Sequence, residues 1–279
     1  MRKRKSLIFL LLCMAVFLSA ASSAAAAEKE EPVALPIIMY HHILKSSGNW
    51  GDYIISPDTL KGDLDYLRER GYETVTIKEL IDYTQGAGDL PEKPVMITFD
   101  DGQASFGAFG FELFEAYGMH AVLSIVGKYA DTYTENGDDN ILYAYFSWPK
   151  LEEMNHSPFV EMAVHTYDMH SVHDRKGCKI KPGESEETYA HVLNADLDIM
   201  ARRFAKYLHE RPVAFAYPFG FSCDAAKEIL KQRGYAVIFT CAEKVNLLTG
   251  DPEELLSLGR FNRPNGENRE QFFSKLGIS

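Results

Sequence analysis

The sequence predicts an α/β fold, a distorted (β/α) barrel of seven or eight parallel strands that forms a single domain. Two observations indicate this fold. Short apolar runs rich in β-branched residues alternate along the chain with longer segments of helical period. The 279 residues are enough for one complete barrel, and no stretch rich in proline and serine marks a hinge between domains. Seven or eight repeats of strand and helix therefore favour closure of the sheet.

The predicted strands are the short apolar runs. They lie at residues 35–40, 72–76, 95–99, 121–126, 160–164, 213–217 and 236–240, with a weaker eighth candidate at 255–258. Because segments of helical period separate most of these runs, neighbouring strands are expected to be parallel.

The first predicted helix has the clearest boundaries. Ser56 can cap its N-terminus, Pro57 occupies its first position and Gly71 ends it. Further helices are predicted at residues 106–117, 148–155, 186–209 and 224–233. The segments 46–55, 131–145 and 175–185 are polar or contain glycine, and they are predicted to be loops around the rim of a cleft.

The first 27 residues predict a secretion signal peptide. Four basic residues at 2–5 precede an apolar core at 7–18, and a run of alanines ends at Ala27 before the charged Glu28. The apolar core, of about twelve residues, is short for a membrane span. Residues 28–34 are expected to be a flexible tether, and residues 35–279 the folded domain. The protein is accordingly expected to be secreted or associated with the cell envelope, without stable membrane insertion after cleavage.

The charge of the chain limits its partners. The formal net charge is −11, and removal of residues 1–27, with four basic and no acidic residues, gives −11 − 4 = −15. An acidic protein is a poor partner for nucleic acid or for an anionic membrane surface, so neither is expected. A neutral substrate, or one that becomes cationic as it reacts, fits better. Beyond the signal, Cys178, Cys223 and Cys241 cannot all pair, so at most one disulfide is expected.

Four of the predicted strands end in residues that can carry chemistry. His41 and His42 follow the first strand, Asp100 and Asp101 follow the third, and His165 follows the fifth. The fourth such end is the sequence Tyr217-Pro218-Phe219-Gly220. Because the carboxyl ends of parallel strands meet on one face, these residues are expected to form one site.

Two of these strand ends together predict a metal site. Adjacent carboxylates point in different directions, so one can hold a metal while the other faces the substrate. The sequence Asp-Asp-Gly alone is more typical of an ordinary turn or helix N-cap. His165 and His170, however, flank a short polar loop, and with Asp101 they would supply three ligands and leave a position for water. A divalent ion, preferably zinc, is therefore the expected cofactor.

These motifs resemble those of the polysaccharide deacetylase family, the NodB-homology group also called carbohydrate esterase family 4. The first motif matches Thr98-Phe99-Asp100-Asp101-Gly102, and the second matches His165-Thr166 with His170. The second motif has one residue more than the usual spacing. This extra residue, like the sequence Met39-Tyr40-His41-His42-Ile43, resembles the branch that deacetylates poly-β-1,6-N-acetylglucosamine.

The resemblance runs from Pro36 to about Arg260. It implies a general base at Asp100 and metal ligands at Asp101, His165 and His170. It also implies an N-acetylated glycan, namely poly-N-acetylglucosamine, peptidoglycan or a chitin-like polymer, as the substrate.

The chain departs from the family pattern at two motifs. Many members have Arg-Pro-Pro-Tyr-Gly where this chain has Ala216-Tyr217-Pro218-Phe219-Gly220, so the arginine that usually orients the base is missing there. The backbone amide of Phe219 can still donate to an oxyanion.

The second departure concerns the general acid. The late Leu-x-His motif is replaced by Leu258-Gly259-Arg260. The proton for the leaving amine is therefore expected from His41 or His42, or from Asp100 returning the proton that it has taken. Two alternatives stay open: a catalytically impaired, carbohydrate-binding member of the same fold, and another kind of metal hydrolase.

Overall fold

A computed structural model describes residues 31–279, and the predicted signal peptide lies outside these residues. The strands are β1 (Val33–Leu35), β2 (Ile37–Tyr40), β3 (His42–Ile43), β4 (Ile54–Ile55), β5 (Glu73–Thr74), β6 (Pro94–Phe99), β7 (Ala121–Ile125), β8 (Val160–Val164), β9 (Ala214–Ala216), β10 (Val237–Phe239), β11 (Asn246–Leu248) and β12 (Phe261–Asn262). The α-helices are α1 (Pro57–Glu69), α2 (Ile77–Thr84), α3 (Ser105–Phe109), α4 (Phe111–Tyr117), α5 (Gly127–Asn136), α6 (Trp148–Asn155), α7 (Glu186–Arg203), α8 (Asp224–Gln232) and α9 (Arg269–Lys275).

The main sheet is parallel and curls into a barrel. Its strand order is β10-β9-β8-β7-β6-β2-β12, and β5 pairs with the start of β6. The segment 258–263 completes the curl, because Leu258 bridges Phe239 of β10 while the Arg263 N–H donates to the Met39 carbonyl of β2. This short segment, which contains β12, thus bonds to both β10 and β2. The predicted distorted barrel of seven or eight strands is confirmed.

Alternate residues of the strands belong to two different apolar clusters. Ile37, Met96, Val122 and Ala163 pack together inside the barrel. Their neighbours in sequence pack outward against the helices; these are Ile38, Ile97, Leu123 and Val164. This alternation follows from the two-residue period of a β-strand. Continued past the strand ends, the inward-facing series reaches residues 39, 41, 100 and 165, which places those side chains at the carboxyl end of the barrel.

Several predicted boundaries differ in the structure. The predicted helix 106–117 divides into α3 and α4 at Gly110, and the predicted helix 186–209 changes after Arg203 to a π-helical turn over Phe204–Leu208. The weak strand at 255–258 is wrong, because a 3-10 helix occupies Pro252–Ser257 and only Leu258 bonds to the sheet.

The structure also contains elements that the sequence analysis did not predict. Helix α2 begins with a capping box between Thr76 and Glu79, and α5 occupies the first part of the predicted loop 131–145. Val33, in the predicted tether, lies in β1 and pairs with Leu248 of β11. None of the helices within residues 31–279 has the length and apolarity needed to cross a membrane.

Candidate metal centre

A cavity of about 480 Å³ opens at the carboxyl end of the barrel. Most of its walls come from the ends of strands and from the closing segment 258–263. The lining residues are Met39, His41, Tyr53, Asp100, Asp101, His165, His170, Phe219, Cys241, Glu243, Arg260 and Asn262. With the exception of His42, every site residue expected from the sequence is present in this set.

Three of the lining side chains form a ligand set for a metal ion. The Oδ1 atom of Asp101 lies 3.5 Å from Nε2 of His165 and 3.0 Å from Nε2 of His170. All three ligand atoms lie within 4.8 Å of one another. Bonds of about 2.0–2.1 Å to a tetrahedral zinc ion separate ligand atoms by roughly 3.3 Å, and the two distances from Asp101, 3.5 and 3.0 Å, are close to this value. Carboxylate and imidazole are also the ligand types that zinc takes in hydrolases.

Hydrogen bonds on the far side of both imidazoles orient them. Nδ1 of His165 lies 2.8 Å from the carbonyl oxygen of Ala216, to which it donates, so Nε2 is left with a free lone pair. Nδ1 of His170 lies 3.3 Å from the hydroxyl of Tyr129. Burial lowers the pKa of His165 and favours its neutral form, the form that binds a metal.

The loop between His165 and His170 is held by a buried carboxylate. Asp196 of α7 is 7% exposed, and its two oxygens accept hydrogen bonds from the backbone N–H groups of Tyr167 (2.7 Å) and Asp168 (2.8 Å). Burial raises the pKa of Asp196 to about 6. These bonds fix the loop between His165 and His170, which explains how two histidines five positions apart converge on one point.

The backbone at the site adopts conformations that are rare for residues with a side chain. Asp101 (φ 70°), Thr166 (φ 67°) and Phe219 (φ 56°) all lie in the left-handed region. Threonine is β-branched, so a positive φ at Thr166 is strained. Such conformations persist where the surrounding structure enforces them, and they are concentrated at functional sites.

Asp100 faces the cavity beside the ligand set and is held by an arginine. Arg260 donates from Nη1 to Oδ1 and from Nη2 to Oδ2 of Asp100, each over 2.7 Å. Arg260 also donates to the Thr98 hydroxyl (3.1 Å) and to the Thr240 carbonyl (3.0 Å). Burial opposes ionisation of Asp100, but the Arg260 guanidinium holds the pKa of this carboxyl well below its usual range.

Arg260 therefore makes with Asp100 the contact that the resemblance led us to expect from an arginine at residues 216–220. It arrives from the segment that closes the barrel, 160 positions away from Asp100. In the sequence, Arg260 stands out only as the residue that replaces a histidine. Sequence offers no signal for such a long-range pair, because its geometry depends on where the closing segment runs.

The two candidate histidines after β2 point in opposite directions. His41 lines the cavity, packs its ring against the edge of Tyr53, and has a buried Nδ1 without a hydrogen-bond partner in the described part of the chain. Burial lowers the pKa of His41, while the charges of the two aspartates act in the opposite sense. His42 lies outside the cavity, with Nδ1 2.7 Å from the Ser105 hydroxyl and Nε2 3.1 Å from the Leu142 carbonyl. The structure brings only His41 to the other candidates.

Phe219 closes one side of the cavity. Its ring is half-exposed, and the ring centroid lies 4.4 Å from that of His170. Its backbone comes directly after β9, in a 3-10 turn over Pro218–Gly220. Phe219 and Tyr53 therefore present apolar ring surface at the cavity, as sugar-binding sites do.

The comparisons with known proteins agree with this geometry. The sequence profile of the polysaccharide deacetylase family matches residues 87–238, more than half of the chain. The poly-beta-1,6-N-acetyl-D-glucosamine N-deacetylase of Escherichia coli K12 is 28% identical over 222 residues, which are 73% of this chain and 33% of that protein. The enzyme of the same name from Staphylococcus epidermidis is 25% identical over 209 residues, 75% of this chain and 68% of that protein. The chain thus spans about a third of the length of the Escherichia coli relative.

Two solved structures share the fold. IcaB from Ammonifex degensii superimposes with a TM-score of 0.72 and 27% identity, over 88% of this chain and 98% of that one. A de-N-acetylase from Aggregatibacter actinomycetemcomitans superimposes with a TM-score of 0.75 over 88% of this chain and 100% of that one. Its identity of 23% supports the fold alone. On the basis of the profile match, this chain belongs to the polysaccharide deacetylase family.

Proposed function

We propose that the protein is a secreted, metal-dependent hydrolase that removes N-acetyl groups from a polysaccharide of N-acetylglucosamine and releases acetate. The observation that carries this proposal is a buried carboxylate, Asp100, fixed by Arg260 next to the ligand set of Asp101, His165 and His170. A protein that only binds a glycan has no need of a second, oriented carboxylate at that position. Among the substrates of the family, poly-β-1,6-N-acetylglucosamine is favoured by the names of the relatives and by the spacing of the two histidines.

Each side chain at the site has a role in this reaction. A bound divalent cation, preferably zinc, would polarise the acetyl carbonyl and lower the pKa of a water molecule. Asp100 takes a proton from the attacking water, and Arg260 keeps this carboxylate ionised and correctly oriented. The backbone N–H of Phe219 donates to the oxyanion as the carbonyl carbon becomes tetrahedral.

His41 is the proposed proton donor to the leaving nitrogen. It lies in the same cavity as Asp100, and its Nδ1 has no hydrogen-bond partner among the described residues. Burial lowers the pKa of His41, and the negative charges of Asp100 and Asp101 oppose this shift. The alternative donor is Asp100 itself, which would return the proton taken from water.

The proposal is tested by measuring acetate release from oligomers of β-1,6-N-acetylglucosamine, from chito-oligomers and from peptidoglycan. The zinc-loaded protein is expected to release acetate, and the Asp100→Asn variant to release at least about 10²-fold less while still binding zinc. Glycan binding without acetate release from any substrate would refute the proposal. That outcome would favour a carbohydrate-binding member of the fold.

A further inference from the structure

One carboxylate of the cavity, that of Glu243, has no role in the proposed reaction. Glu243 lines the cavity, and its side chain is exposed. Asp100 is paired with Arg260, and Asp101 lies between two histidines. Within residues 31–279, by contrast, no side chain forms an ion pair or a hydrogen bond with the Glu243 carboxylate. Glu243 therefore presents an uncompensated negative charge to whatever enters the cavity.

The loop that carries Glu243 is fixed against the closing segment of the barrel. The Arg260 N–H donates to the Ala242 carbonyl over 3.0 Å. Gly259 allows this close approach, because a Cβ atom there would lie 2.4 Å from the Ala242 oxygen and 2.4 Å from Cγ of Lys244. The buried Asn246 side chain also bonds to both the N–H (2.8 Å) and the carbonyl (3.0 Å) of Gly259. The position of Glu243 is thus set by the same segment that places Arg260.

A second acceptor lines the same cavity. Asn262 lines the cavity, and its Nδ2 donates to the Asp52 carbonyl over 2.8 Å. This bond fixes the amide, whose Oδ1 is buried and has no hydrogen-bond partner in the described part of the chain. Arg260 is the one arginine or lysine among the lining residues, and it uses its donors on Asp100, Thr98 and Thr240. Glu243 and Asn262 therefore offer acceptors to the cavity, and a complementary ligand must bring several donors and a positive charge.

A primary ammonium group has this chemistry, since it carries one positive charge and three donors. Resting on the proposed function, we propose that Glu243, together with Asn262, binds the ammonium group of a glucosamine unit adjacent to the sugar being deacetylated. The preferred substrate is then a partly deacetylated glycan rather than a fully acetylated one. The strong net negative charge of the chain, −11, acts in the same direction by attracting a polycation.

The kinetic test compares two pentamers of β-1,6-linked sugar, one fully acetylated and one with a single free amine. Wild-type protein is expected to show a higher kcat/KM on the pentamer with the amine. Glu243→Gln is expected to reduce this preference about three- to tenfold through KM, the range for a solvent-exposed hydrogen bond between charged groups. Glu112→Gln removes the same charge from an exposed position on α4 and is expected to keep the wild-type preference. An unchanged preference in Glu243→Gln would overturn the inference. An equal loss on both pentamers would also overturn it, because Glu243 would then act on the amine formed by the reaction.

A binding measurement keeps this inference separate from the proposed function. Zinc-loaded protein is titrated with a fully deacetylated glucosamine pentamer, which needs no catalysis. Glu243→Gln is expected to weaken binding about three- to tenfold relative to both wild type and Glu112→Gln. Equal affinity in all three proteins would overturn the inference even if acetate release is observed. Absence of acetate release would refute the proposed function, and the titration would still decide whether Glu243 recognises an ammonium group.

Discussion

The Arg260→Met variant separates the role of the arginine from that of the base. Arg260 is 0% exposed and Asp100 is 2% exposed, and two hydrogen bonds of 2.7 Å join them. Loss of one partner from a buried ion pair costs about 3–5 kcal/mol. Two charge-assisted hydrogen bonds at about 1.5–3 kcal/mol each give a similar total of about 3–6 kcal/mol. We expect the free energy of unfolding of the metal-free protein to fall by about 3–5 kcal/mol at pH 7.

The pH dependence of this loss has a definite sign. In the wild type the pKa of Asp100 is lowered, so its contribution to stability is present above a pKa of about 4, that of the unfolded chain, and disappears as the pH falls towards the folded pKa. In Arg260→Met, burial of Asp100 is no longer opposed and raises its pKa above the unfolded value. The free energy of unfolding of the variant then falls as the pH rises. The difference in stability between the two proteins should be large at pH 7 and should shrink towards pH 4.

Two measurements check this expectation. Denaturant unfolding at several pH values gives the stability difference, and the pH profile of kcat/KM should show its acid limb displaced to higher pH in the variant. Arg203→Met is the matched control, because Arg203 also binds a carboxylate, Asp131, through two nitrogens but is 33% exposed and lies outside the cavity. It should leave the acid limb unchanged. A loss below about 1 kcal/mol in Arg260→Met, with no dependence on pH, would refute the reasoning.

Three further expectations concern the surroundings of the site. His41→Ala should lower kcat by about 10²-fold or more, whereas His42→Ala should mainly reduce stability, since His42 lies outside the cavity; equal effects on kcat would contradict this assignment. Asp196→Ala should weaken zinc affinity about 10- to 100-fold in a competition titration, because the ligand loop loses two hydrogen bonds; unaltered affinity would show that the loop holds its shape without them. Asp63→Ala should cost about 3–5 kcal/mol in denaturant unfolding, because the buried Arg263 loses its carboxylate partner; a loss below about 1 kcal/mol would exclude this role.

The fold and the convergence of Asp101, His165 and His170 follow from local sequence, and this explains why they could be predicted. An apolar run whose side chains alternate between two sides predicts a strand. The two-residue period of that strand also determines which residues face the cavity. In β2, Ile37 faces the inside of the barrel. Steps of two residues from Ile37 lead to residue 41, which faces the cavity, whereas residue 42 faces away from it. The two-residue period could therefore have predicted, before the structure was known, that His41 and not His42 faces the cavity.

The parts that could not be predicted depend on contacts between distant segments. Arg260 reaches Asp100 only because segment 258–263 bonds to both β10 and β2. Asp196 reaches the ligand loop from the middle of a long amphipathic helix, where an acidic residue normally indicates a solvated face. Neither contact leaves a pattern in the neighbouring sequence. The contacts that orient Asp100 and that support the loop between His165 and His170 were therefore visible only in three dimensions.

The claim that Asp101, His165 and His170 bind the ion that Asp100 needs for deacetylation is tested most directly by one titration. Chelator-treated protein is supplied with increasing zinc, and bound zinc and acetate release from a β-1,6-N-acetylglucosamine oligomer are measured on the same samples. We expect both to rise together and to saturate at about one zinc per chain, and we expect Asp100→Asn to bind zinc without gaining activity. Acetate release that persists in the chelated protein, or that Asp100→Asn retains in full, would contradict the claim.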